Sequence, residues 1–449
     1  MIRTTCRRAG GRASRFCCAL LACAALAAFA SSARAQFLDP DNDVPGVWIE
    51  NDGNLKSRKL DPDKELAAIR ARAKSAAGAA KGEKLAFVSL PKLLAEARSA
   101  ASSGKELPQD VRFLGGLTRV RYVFVYPEEK DIVIAGPAEP FTVSRDGLYA
   151  TGKLSRRPVM QLDDFVVALR TAYDPKGRAF GCRIDPDPKS VDISADVMKR
   201  FAKASRRERM DAMQRELGPQ KVSVFGTPAD TRLAFVLVAA DYKLKRFAMG
   251  LEPAAGAPGV QIGHAVDNSR PAMNRFWFET DYEPLKVSAD GNAYELRGRR
   301  VKVLAGAFSF DPRGATEKAM AFAKKFTDRM AAVAVAEPLV AELQNVADLS
   351  MVASLVRYDK LDRKAGWDVA WLLEELGYPV KKVPVAATAD TLVGATSGSI
   401  VAGGVMFRPG QFVSEGPREG DDGGRLEQSR QQARKLRKEE GEGAVVGAK

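Results

Sequence analysis

Residues 121–141, RYVFVYPEEKDIVIAGPAEPF, constrain the fold more than any other stretch. Positions 122–126 and 132–135 are apolar throughout, with no polar alternation. A strand with one solvated face alternates polar and apolar residues, so these two runs predict strands buried on both faces. Pro127-Glu128-Glu129-Lys130-Asp131 joins them as a turn, and Gly136-Pro137 ends the second, because proline cannot donate to a ladder. Val123, Val125, Val133 and Ile134 are therefore expected in the core, with Glu128, Glu129 and Lys130 solvated. A buried hairpin needs layers above and below it, and the chain around it must supply them.

The flanking sequence supplies strands and helices in irregular order, which predicts an α+β (mixed α/β) fold. Residues 84–215 read as a first α/β unit. KLAFVSL is strand-like, Pro91 opens an amphipathic helix, and the hairpin follows. LDDFVVALRTAY reads as a helix whose Asp163 and Asp164 suit the dipole of its first turn, and GCRIDPDP as a further strand. Residues 216–413 read as a second strand-rich unit, with its boundary near 215. KVSVFG and TRLAFVLVAADYKLKRFAMGL give strand-rich runs, followed by RFWFETD and GRRVKVLAGAFSF. Asp290-Gly291 in LKVSADGNAYEL marks a hairpin turn. Residues 314–357 are helical, with Leu339, Leu343, Val346, Leu349, Val352 and Leu355 as a core stripe. GWDVAWLLEELGYPVKKVPV reads as a short helix leading into a strand, and TLVGATSGSIVAGGVMF as a closing hairpin.

The two ends differ from this body. Residues 1–15 carry five arginines and no acid, 16–30 are wholly apolar, and Ala33 and Ala35 occupy the positions a signal peptidase reads. This predicts a signal peptide over 1–35, cleaved after Ala35, and an exported protein of the periplasm, cell envelope or extracellular space. The apolar run is shorter than the roughly 20 residues of a membrane span, so no transmembrane helix is expected after cleavage. Cys23 lies mid-way along that run, where a lipoprotein box does not end, and Arg7-Arg8 lacks the rest of a twin-arginine signal. Residues 36–83 read as a lead hairpin, GVWIENDGNL, and an alanine-rich surface helix. Pro40 and Pro45 interrupt Asp39, Asp41 and Asp43, which do not form a calcium loop. The tail 414–449 has eight basic and eight acidic residues and almost no large apolar one. Such a composition predicts disorder, with RLEQSRQQARKLRKEE at most a transient helix, and a tail dispensable for folding.

Charge and residue counts exclude several functions. The formal charge is +14, and removal of the leader's six arginines leaves +8. No basic block is interleaved with aromatics, so nucleic acid is not an expected partner. His264 is the sole histidine, and Cys182 the sole cysteine after residue 35. No zinc site and no internal disulfide follow, and no cofactor or metal is expected. His264 in GVQIGHAVDNSRP follows no nucleophile elbow, and GATSGSIVAGG lacks the lysine of a phosphate-binding loop. Ser89-Leu90-Pro91-Lys92 matches an S-x-x-K pattern without its companion motifs. Carboxylates remain as catalytic candidates. They are Asp241, read as lying at a strand end beside Lys245 and Arg246, then Glu279 and Asp281, with Asp163 and Asp164 behind them.

Several long strings then occur in order: RYVFVYPEEKDIVIAGPAEPF, QLDDFVVALRTAY, CRIDPDP, TRLAFVLVAADYKLKRFAMGLEP, NRFWFETDY and AELQNVADLSMVASLV. Together they resemble the secreted planctomycete family catalogued as domain of unknown function 1598, over about Gly46 to Tyr358. The resemblance implies export in a lineage with unusual envelopes. It brings no activity, ligand or catalytic residue. Three functional classes stand: a non-catalytic binding or envelope-associated protein that meets an envelope polymer or protein, a carboxylate-dependent hydrolase of carbohydrate or peptide, and an envelope assembly or scaffold protein that uses its tail.

Overall fold

The computed structural model describes residues 47–49, 53–57, 62–79, 84–176, 179–252, 254, 256–257, 273–393, 400–421, 423–441 and 443–446. The expected leader, the acidic lead at 39–43, His264 and part of the expected closing hairpin lie outside them. The 121–141 stretch forms the expected pair of strands, β4 (Tyr122–Tyr126) antiparallel with β5 (Asp131–Ala138), Val123 opposite Ile134. Gly136-Pro137 does not end the second strand as expected: Pro137 lies opposite Leu85 within it and uses its carbonyl, which accepts from the Thr118 N–H at 2.9 Å. Pro127–Glu129 turn as one 3-10 step, and Lys130 closes the turn in the left-handed region at φ 50°. Val123, Val125, Val133 and Ile134 are each 0% exposed, while Glu128, Glu129 and Lys130 are exposed. Ile134→Ala is expected to cost about 2–5 kcal/mol in a denaturation experiment, as core deletions do. Glu128→Ala should leave the urea midpoint unchanged, since it projects from an exposed turn.

Three sheets organise the chain. The first has eight strands in the order β1-β2-β14-β9-β8-β15-β10-β13. These are β1 (Val47–Ile49), β2 (Asn54–Ser57), β8 (Phe180–Asp185), β9 (Gln220–Phe225), β10 (Met273–Asp281), β13 (Arg300–Gly306), β14 (Thr388–Ala389) and β15 (Ile400–Phe407). The second has seven, β16-β11-β12-β4-β5-β3-β17, adding β3 (Lys84–Ser89), β11 (Leu285–Val287), β12 (Ala293–Glu295), β16 (Arg418–Gly420) and β17 (Val445–Val446). The third is the small pair β6 (Phe141–Val143) and β7 (Ala150–Gly152). The α+β class holds. The two expected strand-rich units do not separate near 215: β8 joins β10 and β15 in one sheet, and β12 pairs with β4 in the other.

The helices are α1 (Pro62–Ala79), α2 (Leu90–Ser102), α3 (Leu162–Tyr173), α4 (Ser190–Arg200), α5 (Arg206–Leu217), α6 (Arg232–Ala248), α7 (Glu317–Asp328), α8 (Met330–Ala336), α9 (Pro338–Tyr358), α10 (Pro409–Glu415) and α11 (Arg425–Glu440), besides shorter turns. Two of them are buried all round. α6 hides every residue but Arg246, and α9 every residue but its last two. By length and composition α9 could cross a membrane, but here it is packed inside the protein. α6 corrects a sequence expectation, because TRLAFVLVAADYKLKRFAMGL is a helix and not strand-rich. A continuous apolar run does not distinguish a buried strand from a buried helix, and length decides. Seventeen residues exceed any strand here, and Thr231 caps the start by accepting from the Ala234 N–H at 3.3 Å. β15 corrects another: its described residues form one strand in the middle of the eight-stranded sheet, between β8 and β10. Arg72 of α1 donates from Nε at 3.1 Å and from Nη2 at 2.7 Å to the Ala336 carbonyl.

The tail differs most from its composition. α10 follows β15 directly, β16 pairs with β11, and α11 lies on the seven-stranded sheet. Leu426 and Ala433 join Phe87, Phe124, Tyr126, Val133, Ala135 and Ala293 in one buried cluster. The apolar surface is small, and charge completes the docking. Arg437, only 9% exposed, pairs with Asp131, which also accepts from the Ser89 hydroxyl at 2.6 Å. Arg434 meets Glu129, and Arg430 meets Asp290 at 2.8 Å. Composition is blind to these partners, because they lie about three hundred residues upstream for Arg434 and Arg437.

A buried cluster between α3, α6 and α9 contributes to the pH response. Arg232 is flanked by two carboxylates, Asp164 and, at 2.5 Å, Glu342, all almost wholly buried. One cation faces two acids. Burial pushes Asp164 up to about 7, with Arg232 opposing and Glu342 reinforcing the shift. Burial also raises Glu342, against the same Arg232. An unfolded aspartate titrates near 3.9. A folded value above the unfolded one contributes stability that is full below about 4 and is lost as pH rises through about 7. The urea midpoint should therefore be lower at pH 8 than at pH 5, and Glu342→Gln should flatten that difference.

Candidate ligand-binding face

β8 alternates. Cys182 and Ile184 are fully buried, whereas Arg183 and Asp185 are partly exposed. The register carries this alternation across the sheet. Gly403 lies opposite Ile184 and beside Phe276, while Gly404 lies opposite Arg183 and beside Trp277. α6 and α7 pack on the first set: Asp241 lies against Gly403, and Phe322 and Phe326 stack edge-on against Phe276 and Phe278 at 5.0 and 6.2 Å.

The second set forms the other face. It presents Arg183 and Asp185 from β8, Phe225 from β9, Gly404 from β15, and Arg275, Trp277, Glu279 and Asp281 from β10. The loop after β13 folds over part of it. The Phe310 ring stands edge-on to Trp277 and Phe225, each at 6.0 Å between centroids. Gly404 permits this approach, since a Cβ there would meet the Phe310 ring at 2.7 Å. Phe308 in the same loop is 63% exposed.

Charge on this face is paired but within reach of solvent. Arg275 Nη1 donates to Asp185 Oδ1 at 3.0 Å and to the Ser309 hydroxyl at 2.8 Å. Arg183 lies over the Phe225 ring at 5.8 Å and 3.9 Å from Asp185, and its side chain is 43% exposed. Arg408, from the residue before α10, donates to Glu279 Oε1 at 2.7 Å, and the Trp277 indole N–H donates to Glu279 Oε2 at 3.3 Å. Arg299 Nε donates to Asp281 at 2.8 Å.

The sequence candidates therefore separate. Glu279 and Asp281 share one face, two residues apart on β10, with their Cα atoms about 7 Å apart at strand rise. Asp241 does not join them. It lies mid-helix rather than at a strand end, on the far side of the sheet and 0% exposed. Its Oδ2 is 3.7 Å from Lys245 Nζ, the partner expected from sequence. Lys245 also donates to the Ile184 carbonyl and, at 3.4 Å, to Gln220. Burial pushes Asp241 up to about 7 and draws Lys245 down, while burial and then Asp241 push the Cys182 thiol well up. No substrate reaches groups so enclosed. Asp163 accepts from the Tyr378 hydroxyl at 2.7 Å, and Ser89 caps α2 at 0% exposure, so the S-x-x-K serine is not presented as a nucleophile.

On the exposed face, each of Glu279 and Asp281 spends an oxygen on a guanidinium. A general acid would have to give up that pair to carry a proton. The arrangement instead offers fixed donors and acceptors beside aromatic rings. Sequence reasoning missed Arg183, Asp185, Arg275 and Arg408. Alternation in RFWFETD, where Arg275, Trp277, Glu279 and Asp281 fall on one side, was the available signal.

Residues 182–261 match the family model described as Protein of unknown function (DUF1598). The DUF1598 segment runs through β8, α4, α5, β9 and α6, so it holds Arg183, Asp185 and Phe225 on the exposed face and Asp241 and Lys245 beneath it. No curated protein and no solved structure matches the chain.

Proposed function

We propose that the chain is an exported, non-catalytic binding protein of the cell envelope, and that it takes its ligand on the exposed face of the eight-stranded sheet. The observation that carries this reading is the asymmetry of that sheet. α6 and α7 cover one face with apolar packing, while the other keeps guanidinium–carboxylate pairs at partial exposure around aromatic rings. Paired charges of this kind recognise through hydrogen bonds of fixed direction, and rings add flat apolar contact. A polyhydroxylated envelope polymer fits both, with hydroxyls to bond the Arg275–Asp185 and Arg408–Glu279 pairs and sugar faces to lie on Phe308 or Phe225.

Two experiments test the reading. N-terminal sequencing of exported protein should find Gln36, and a lipid-modified start at Cys23 would overturn cleavage after Ala35. Co-sedimentation with the washed polysaccharide fraction of the producing cell's envelope should retain the protein. Arg275→Ala together with Arg183→Ala should weaken retention at least tenfold with the fold intact, as a loss of about 1.4 kcal/mol or more implies.

A further inference from the structure

We propose that Trp277 is the sugar-stacking platform of the ligand face and that Phe310 is its resident cover, displaced when a pyranose ring of the polymer stacks in its place. This subsite rests on the reading of the face as a polymer-binding surface. Trp277 stands apart from its neighbours there. Arg275 and Glu279, two residues to either side along β10, are partly exposed, whereas Trp277 is 1% exposed. A large ring on a solvated sheet face needs a cover, and the Phe310 ring lies edge-on against it at 6.0 Å.

Phe310 reaches that place against its own backbone preference. It is held in the left-handed region at φ 58°, where a bulky side chain crowds the following carbonyl oxygen. Such outliers persist where the surroundings over-determine them, and they gather at ligand clamps and switches. The loop's bonds run within itself: the Ala307 N–H donates to the Arg313 carbonyl at 3.1 Å, the Asp311 N–H to the Phe308 carbonyl at 3.4 Å, and Arg313 pairs with Asp311. It meets the face through the Phe310 ring and through the Ser309 hydroxyl, which accepts from Arg275. The loop can therefore lift as one piece, giving up that packing and that bond while keeping its own shape.

The space under the lifted ring has the dimensions and chemistry of a sugar subsite. Gly404 is its floor, with Trp277 beside it on β10 and Arg183 opposite it on β8. These walls stand two strand spacings apart, about 9.6 Å, which admits one ring between them. Along β10, Arg275 and Glu279 bracket Trp277 at about 7 Å on either side. A pyranose has an apolar C–H face and a rim of hydroxyls. The face matches the indole, and the rim reaches the Arg275–Asp185 pair on one side and the Arg408–Glu279 pair on the other. Phe310 satisfies the indole alone. The sugar replaces that packing, adds hydrogen bonds and frees the left-handed backbone, so it favours the lifted state.

The experiment titrates the purified envelope polysaccharide into the wild-type protein and into Phe310→Gly. Glycine removes the cover and accepts the left-handed conformation without strain. The variant is expected to bind about fivefold more tightly or better, because the fraction of protein with an open subsite no longer limits affinity. Binding by the wild type with equal or weaker binding by the variant overturns the cover and leaves the ligand face standing. Retention of neither protein rejects the polymer as the ligand and this subsite with it. Should Phe310→Gly fold poorly, hydrogen exchange of the wild-type protein replaces it. Saturating polymer should speed exchange of the amides in 307–313. Exchange there that slows or stays unchanged overturns the displacement.

Discussion

Truncation after Phe412 is expected to lower the thermal transition by several degrees, the opposite of what the tail's composition predicts. The cut removes Arg437 from Asp131, a carboxylate 4% exposed whose other partner is the Ser89 hydroxyl. Removal of one member of a buried ion pair costs about 3–5 kcal/mol, because the remaining charge stays buried without compensation. The cut also uncovers the Phe87–Phe124–Tyr126 surface that Leu426 and Ala433 cover. Arg437→Ala alone isolates the first term, and differential scanning calorimetry of both variants separates the two. An unchanged transition in the truncated chain would mean that α11 contributes nothing to the folded state.

Asp348→Ala is expected to be comparably severe. Asp348 sits in α9 at 0% exposure and accepts from Arg119 Nε at 2.9 Å, from the Val120 N–H at 3.0 Å and from Arg300 Nε at 2.6 Å. Arg300 in turn donates to the Val120, Leu296 and Gly298 carbonyls. One carboxylate thus ties α9 to the start of β13 and to the irregular segment leading into β4. Burial would raise its titration, but Arg119 and Arg300 outweigh it and hold the carboxyl below the ordinary aspartate value. A folded value below the unfolded one contributes stability present above about 4 and lost as pH falls through the folded value. Asp348→Ala leaves Arg300, 6% exposed, without its counter-charge and should cost about 3–5 kcal/mol in urea denaturation at pH 7. Asp348→Asn keeps the size and removes the charge, so a similar loss would assign the effect to charge rather than packing.

Elements with their own local signature were legible in the sequence. Asp290-Gly291 marks the turn between β11 and β12, and the apolar runs at 122–135 mark β4 and β5. LDDFVVALRTAY is the helix α3 within its expected bounds. Other elements depend on partners far along the chain. α11 looks too polar to fold because its docking rests on Asp131 and Glu129. α6 looks like strand because it is buried on all sides, which erases the polar stripe of helical periodicity. The exposed face was hidden for the same reason. Arg183, Phe225, Arg275 and Arg408 lie on four segments that only the order β9-β8-β15-β10 brings together. Glu279 and Asp281 could be singled out because both sit on β10. Whether Asp241 joined them required knowing that α6 lies behind the sheet.

On the proposed function, the exposed face of the eight-stranded sheet binds an envelope polymer without cleaving it. The direct measurement incubates the protein with the purified envelope polysaccharide, recording retained protein and newly released reducing ends together. Binding is expected to be saturable and at least tenfold weaker in the Arg183→Ala/Arg275→Ala variant, with no reducing ends above the polymer alone. Equal binding by the variant would contradict the assignment of the face. Release of reducing ends abolished by Glu279→Gln or Asp281→Asn would contradict the absence of catalysis.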